Sequence, residues 1–95
     1  MTGAARSIAL TGADQAVRTG PGIFRGYTVV ETGGASPATV RIYDHASAAS
    51  GTLIGAVNLP AGGSADVHCD GVWCENGIYV DTGGAGTVAG SVRIG

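Results

Sequence analysis

Glycine punctuation constrains this chain more than any other feature. Its 18 glycines in 95 residues leave few uninterrupted stretches long enough for a stable helix. Lys is absent, and Leu, Glu and Gln are scarce, so apart from Ala the residues that favour helices are few. The one helix-friendly run is His45-Ala46-Ser47-Ala48-Ala49-Ser50. It is short, stops at Gly51, and reads as a loop with room for one helical turn. What the glycines separate are short runs rich in Val, Ile and Thr, which is the composition of strands.

The runs are Arg6 to Leu10, Gln15 to Thr19, Ile23 to Glu31, Ala38 to Asp44, Thr52 to Leu59, Ser64 to Cys69, Val72 to Glu75, Ile78 to Asp81 and Thr87 to Ile94. Asp70-Gly71 and Asn76-Gly77 are favoured tight-hairpin pairs. Spacing of roughly 8–12 residues between runs with glycine turns predicts an all-β fold, a small antiparallel β-sandwich or barrel of about seven or eight short strands. At 9.3 kDa with no linker, residues 1–95 form a single domain. Alternation places Val40, Ile42, Leu53, Val57, Ile78, Val80, Val88 and Val92 in the core, with Gly55 marking a bulge or a close backbone approach. Phe24 and Trp73 are expected to fill the core, and the tyrosines to cover sheet edges or an interface. Tyr43 and Tyr79 fall on the outward phase and are candidates for that interface or for a carbohydrate-binding face.

Residues 1–22 differ from the rest. They are rich in Ala, Gly and Thr, yet Ile8, Leu10 and Val17 are spaced to pair as an added strand. This segment is expected either to grip a neighbour as an arm, by β-augmentation, or to form two edge strands of its own sandwich.

Charge excludes several functions. A formal charge of -2 with five scattered arginines gives no basic face for nucleic acid. No apolar run approaches a membrane span, and Met1 to Arg6 shows no export signal. Cys69 and Cys74 are candidates for a disulfide across a hairpin at Asp70-Gly71; the other reading is two free, partly buried thiols. His68, Cys69, Cys74 and His45 have the wrong spacing for a structural zinc, and adjacent strand residues point to opposite faces. Asp14, Asp44, Asp66, Asp70 and Asp81 read as turn caps rather than catalytic carboxylates. No metal, no cofactor and no catalytic residue is expected, and the chain is not expected to be an enzyme.

Several segments carry a resemblance. Gly26-Tyr27-Thr28-Val29-Val30, Val40-Arg41-Ile42-Tyr43-Asp44, Ser50-Gly51-Thr52-Leu53-Ile54, Leu59-Pro60-Ala61-Gly62-Gly63, Asn76-Gly77-Ile78-Tyr79-Val80 and the closing Val88-x-Gly-x-Val92 strand resemble small β-sandwich virion structural proteins of tailed bacteriophages. The first twenty residues, His68 and the cysteine pair lie outside that pattern. The resemblance implies a non-enzymatic protein of the virion. Foremost is a capsid decoration or cement protein, bound to the major capsid protein or other virion proteins as a homo-oligomer, a trimer at threefold-like positions. A tail or fibre component is the alternative within the virion, and a carbohydrate-binding module the alternative outside that class.

Overall fold

The nine β-rich runs become eight strands, with Ser64 to Cys69 and Val72 to Glu75 merged into one. In the computed structural model, which describes residues 5–95, these are β1 (Arg6–Ala9), β2 (Gln15–Arg18), β3 (Gly22–Glu31), β4 (Ala38–Asp44), β5 (Thr52–Leu59), β6 (Ser64–Cys74), β7 (Ile78–Gly84) and β8 (Val88–Ile94). No helix occurs among the described residues, and the run from His45 to Ser50 makes no helical turn. His45 Nδ1 instead accepts the N–H groups of Ser47 and Ala48, which shapes that loop.

The strands form two four-stranded sheets, sheet I in the order β1-β8-β3-β6 and sheet II in the order β2-β7-β4-β5. Every neighbouring pair is antiparallel. Apart from the β4–β5 hairpin, successive strands cross between sheets in the manner of a jelly roll, the double Greek key that leaves two open flanks. The expected all-β sandwich is thus observed. Its interior is filled from both inner faces by Phe24, Tyr27, Val29, Val40, Ile42, Ile78, Val80, Val92 and their neighbours.

Bulges decide where the alternation of the sequence fails. Asp70-Gly71 is not a hairpin turn. β6 runs unbroken from Ser64 to Cys74, and between the pairs Phe24↔Val72 and Gly26↔His68 the strand bulges outward at Cys69-Asp70-Gly71. Arg25 Nη1 donates to the Asp70 carbonyl at 3.0 Å, so a side chain takes up the backbone acceptor that the bulge exposes. The matching irregularity at Gly26, with φ of 120°, needs glycine, because a Cβ there would run into the Val67 carbonyl. It also resets the phase of β3. Phe24 and Tyr27 therefore both face inward, and Tyr27 is buried rather than covering an edge as expected.

Leu53 was expected inside and is 49% exposed. Pairing jumps from Ile42↔Gly55 to Tyr43↔Leu53, so Ile54 is the extra residue and packs against the core in place of Leu53. Val57 keeps the expected phase but is only partly buried, on an edge strand. Trp73 was also expected inside; it lies on the outer face of β6 opposite Ile23 and is 61% exposed. The inward position beside it belongs to Cys74, which is fully buried.

From Arg6 on, the described part of the N-terminal segment forms two edge strands of the chain's own sandwich. β1 closes sheet I against β8, and β2 closes sheet II against β7. Ile8, Leu10 and Val17 pack against the chain's own core.

Candidate functional site

Sheet II presents its outer face as a flat, ordered surface. Strand alternation turns Val40, Ile42, Ile78 and Val80 inward, and so turns Thr39, Arg41, Tyr43, Tyr79 and Asp81 outward. Register then lines these residues up. Tyr43 is the direct partner of both Tyr79 and Leu53, and Tyr79 of Ala16. A row Ala16–Tyr79–Tyr43–Leu53 therefore crosses all four strands, about 14 Å at the usual ~4.8 Å between strands. The two candidate tyrosines are thus neighbours. Each keeps part of its surface in solvent, and Leu53, displaced outward by the bulge, extends the row.

The next row is polar: Asp81 opposite Arg41 opposite Ala56. Arg41 is pinned along the sheet. Its Nη1 donates to the Val40 and Val57 carbonyls at 3.0 and 3.1 Å, and its Nη2 to Asn58 Oδ1 at 2.8 Å. Burial lifts the Asp81 carboxyl above its usual range; hydrogen bonding with Asp14 and the charge of Asp14 add to the rise, while Arg41 opposes it. Asp14 itself accepts the Thr82 N–H at 2.8 Å. The face thus combines an apolar aromatic stripe with fixed hydrogen-bonding groups, the composition of a recognition surface.

The other candidate residues are dispersed. Asp44 caps the β6–β7 turn, accepting the N–H groups of Asn76 at 2.9 Å, Glu75 at 3.2 Å and Gly77 at 3.3 Å. The Asn76 contact is the largest cause of its lowered pKa. Asp66 is no turn cap. It lies mid-strand on the outer face of sheet I, where Thr28 Oγ1 donates to it at 2.6 Å, Arg93 Nη2 pairs with it at 2.9 Å and His68 approaches at 3.2 Å. Those partners, Thr28 first, hold its carboxyl at about 2. His68 is therefore on that face while His45 caps a loop, and among the described residues no three His, Cys, Asp or Glu side chains converge as metal ligands.

Cys69 and Cys74 are free. The hairpin that would have brought them together is absent; both lie on the single strand β6, with its bulge between them. Burial raises the Cys74 thiol pKa, which keeps it protonated and unreactive. Alkylation under denaturing, non-reducing conditions should accordingly add two groups per chain; a mass two hydrogens short and no alkylation would show a bond instead.

Sequence reasoning missed Glu31. It is 1% exposed, yet its carboxylate has no cationic partner among the described residues. Oε1 accepts the N–H groups of Gly34 at 2.6 Å and Gly62 at 2.9 Å, and Oε2 those of Gly33 at 2.8 Å and Thr87 at 2.9 Å. These N–H groups come from the β3–β4, β5–β6 and β7–β8 loops, so one side chain ties together three loops at one end of the sandwich. The bonds hold its pKa at about 2, with the Gly62 contact the largest cause. A clue was present in the sequence: Glu31 continues the inward phase of Tyr27 and Val29 and is followed by Gly33-Gly34, whose N–H groups carry no hindering side chain.

A pocket of about 220 Å³ lies elsewhere, lined by Arg6, Arg18, Ile94 and Gly95, and is smaller than the ~300–1,000 Å³ of small-molecule sites. Comparison with protein-family models, with curated proteins and with solved structures finds no match.

Proposed function

We propose that this chain is a non-enzymatic structural binder that docks through the outer face of sheet II. In this reading it is a decoration or cement protein of a tailed-phage head, seated on the major capsid protein of the virion. The observation that carries the docking face is the Tyr43–Tyr79 pair, set side by side with Leu53 on a rigid sheet. Aromatic anchors on a flat, preorganised surface suit a large protein contact, because little side-chain entropy remains to be lost on binding. The virion assignment is supported by the resemblance of the strand segments, and fold alone does not supply it. A tail or fibre position is the other place on the particle that the same resemblance allows.

The test is binding of the purified chain to heads stripped of it. Replacing both Tyr43 and Tyr79 by Ala should weaken binding by on the order of 1,000-fold, given ~2 kcal/mol for each anchor, and leave the circular dichroism unchanged. Full binding by that variant would reject the docking face. Parent protein that binds tails but not heads would move the assignment to the tail.

A second reading follows from the polar row. Asp81, Arg41 and Asn58 beside two tyrosine rings also suit a glycan, whose apolar faces rest on rings and whose hydroxyls need fixed donors and acceptors. Binding to a glycan array that is lost in the same double variant, with no binding to heads, would favour it.

A further inference from the structure

Two arginines from different sheets converge on one pocket with no acid to receive them. We propose that this pocket, in the flank between β1 and β2, binds a phosphate group held between the guanidinium groups of Arg6 and Arg18. The inference does not depend on what the outer face of sheet II binds.

Register sends both side chains to the same place. Arg6 is the direct partner of Ile94, and Arg18 of Ile78. Ile94 and Ile78 are core residues, so each arginine takes the inward phase of its strand. β1 is the edge of sheet I and β2 the edge of sheet II, so the two inward positions meet at the mouth of the sandwich. There they line the cavity of about 220 Å³ that Ile94 and Gly95 complete. An inward charge at an edge also deters unwanted strand pairing, but that purpose does not require two charges on one cavity.

The other arginines spend guanidinium donors on the protein: Arg93 on Asp66, Arg41 on Asn58 and two carbonyls, Arg25 on the Asp70 carbonyl. Arg6 and Arg18 have no ion-pair partner among the described residues, in a chain whose acids outnumber its arginines by seven to five. Arg18 Nε donates to the Pro21 carbonyl at 2.9 Å. Its stem lies along Gly22, where a Cβ would come within 3.2 Å of Arg18 Cγ. The side chain is thus fixed through Nε, and its two Nη groups remain for a ligand. Arg25 packs behind Gly95 so closely that a Cβ on Gly95 would collide with it. The buried Arg25 Nε has no hydrogen-bond partner among the described residues, so its charge adds to that of the pair in front. Like charges gathered in this way repel until a counter-charge joins them.

Charge and shape select phosphate. A carboxylate carries one charge and is filled by one guanidinium fork. A phosphate group carries roughly -1.5 to -2 near pH 7 and has oxygens enough for two forks at once. The cavity holds such a group with some of its water, and falls short of the ~300 Å³ at which sites for larger molecules begin. The group can arrive as inorganic phosphate or as the end of a phosphomonoester, and the chemistry of recognition is the same.

Titration of the purified chain with inorganic phosphate at low, matched ionic strength tests this, read by amide NMR and by thermal unfolding. Shifts at Arg6, Arg18 and Gly95 should saturate together, half complete below about 1 mM, and 10 mM phosphate should raise the melting temperature by about 5 °C or more over the same ionic strength of chloride. Arg6→Gln and Arg18→Gln should each weaken binding tenfold or more with the circular dichroism of the parent, and if one of them fails to fold the other decides. Phenyl phosphate binding more tightly than the inorganic ion would identify an ester as the source, and the reverse order the free ion. A titration that does not saturate by 10 mM overturns the proposal. So does half-saturation by acetate at the same concentration as by phosphate, and so does undiminished binding in a folded variant of either arginine.

Discussion

Replacing Glu31 by Gln should lower the melting temperature by roughly 10 °C or more, the scale expected when several buried donors lose their acceptor in a domain of this size. The substitution preserves shape but not acceptance. An amide has one acceptor oxygen and one NH2 group, and each Glu31 oxygen takes two backbone N–H groups. Whichever way the amide turns, either Gly33 and Thr87 or Gly34 and Gly62 face another donor. The loops also pack tightly on the side chain, since a Cβ at Gly86 would lie 2.9 Å from Glu31 Cγ and one at Gly33 3.0 Å from Oε2. Three loops should then loosen together, which calorimetry and amide exchange at Gly33, Gly62 and Thr87 would both detect. A melting point within about 2 °C of the parent would refute the role, since even ~1 kcal/mol moves it further than that.

The same carboxylate sets a pH dependence. Its pKa is about 2 in the folded protein against 4.5 when free. A depressed carboxylate stabilises the fold above its free value and loses that contribution as pH falls toward the folded value. Asp66, at about 2, and Asp44, also lowered, act in the same direction. Stability should therefore decline from about pH 4.5 down to about pH 2. The gap between the parent and Glu31→Gln should narrow across that window. A gap that stays constant would mean that Glu31 does not carry the charge assigned to it.

Replacing Ile42 by Ala should cost on the order of 2–5 kcal/mol in denaturant unfolding, a large share of the roughly 5–15 kcal/mol that holds a domain of this size. Ile42 is fully buried in β4, between Val80 of β7 and Gly55 of β5. Gly55 offers no side chain to fill the void, because the isoleucine already occupies the space above it: a Cβ at Gly55 would lie 3.4 Å from Ile42 Cδ1 and 3.6 Å from Phe24 Cζ. The cavity therefore persists and adds to the lost transfer free energy. Leu53→Ala on the same sheet, at an exposed position, should change stability by no more than about 0.5 kcal/mol. A cost below about 0.5 kcal/mol at Ile42 would reject its central place in the core.

The sequence by itself determined the fold class, most strand positions and most of the core. Glycine spacing forbade helices, and the period-2 pattern around Val40, Ile42, Ile78, Val80, Val88 and Val92 fixed which side faces inward. It also set Tyr43 and Tyr79 on the outward phase. Only the tertiary structure decided that the two tyrosines are direct partners, because register between β4 and β7 is a long-range property. The tertiary structure likewise decided the fate of Asp70-Gly71, Leu53, Tyr27 and Trp73. A bulge adds residues to one strand relative to its partner, and no local pattern records what that partner is. Asp-Gly is as compatible with a bulge as with a turn, and here the unbroken pairing with β3, with Arg25 placed to take the exposed carbonyl, selected the bulge. Glu31 belongs to the same class. Its meaning rests on N–H groups 2 to 56 positions away in sequence, which become neighbours only when the two sheets close.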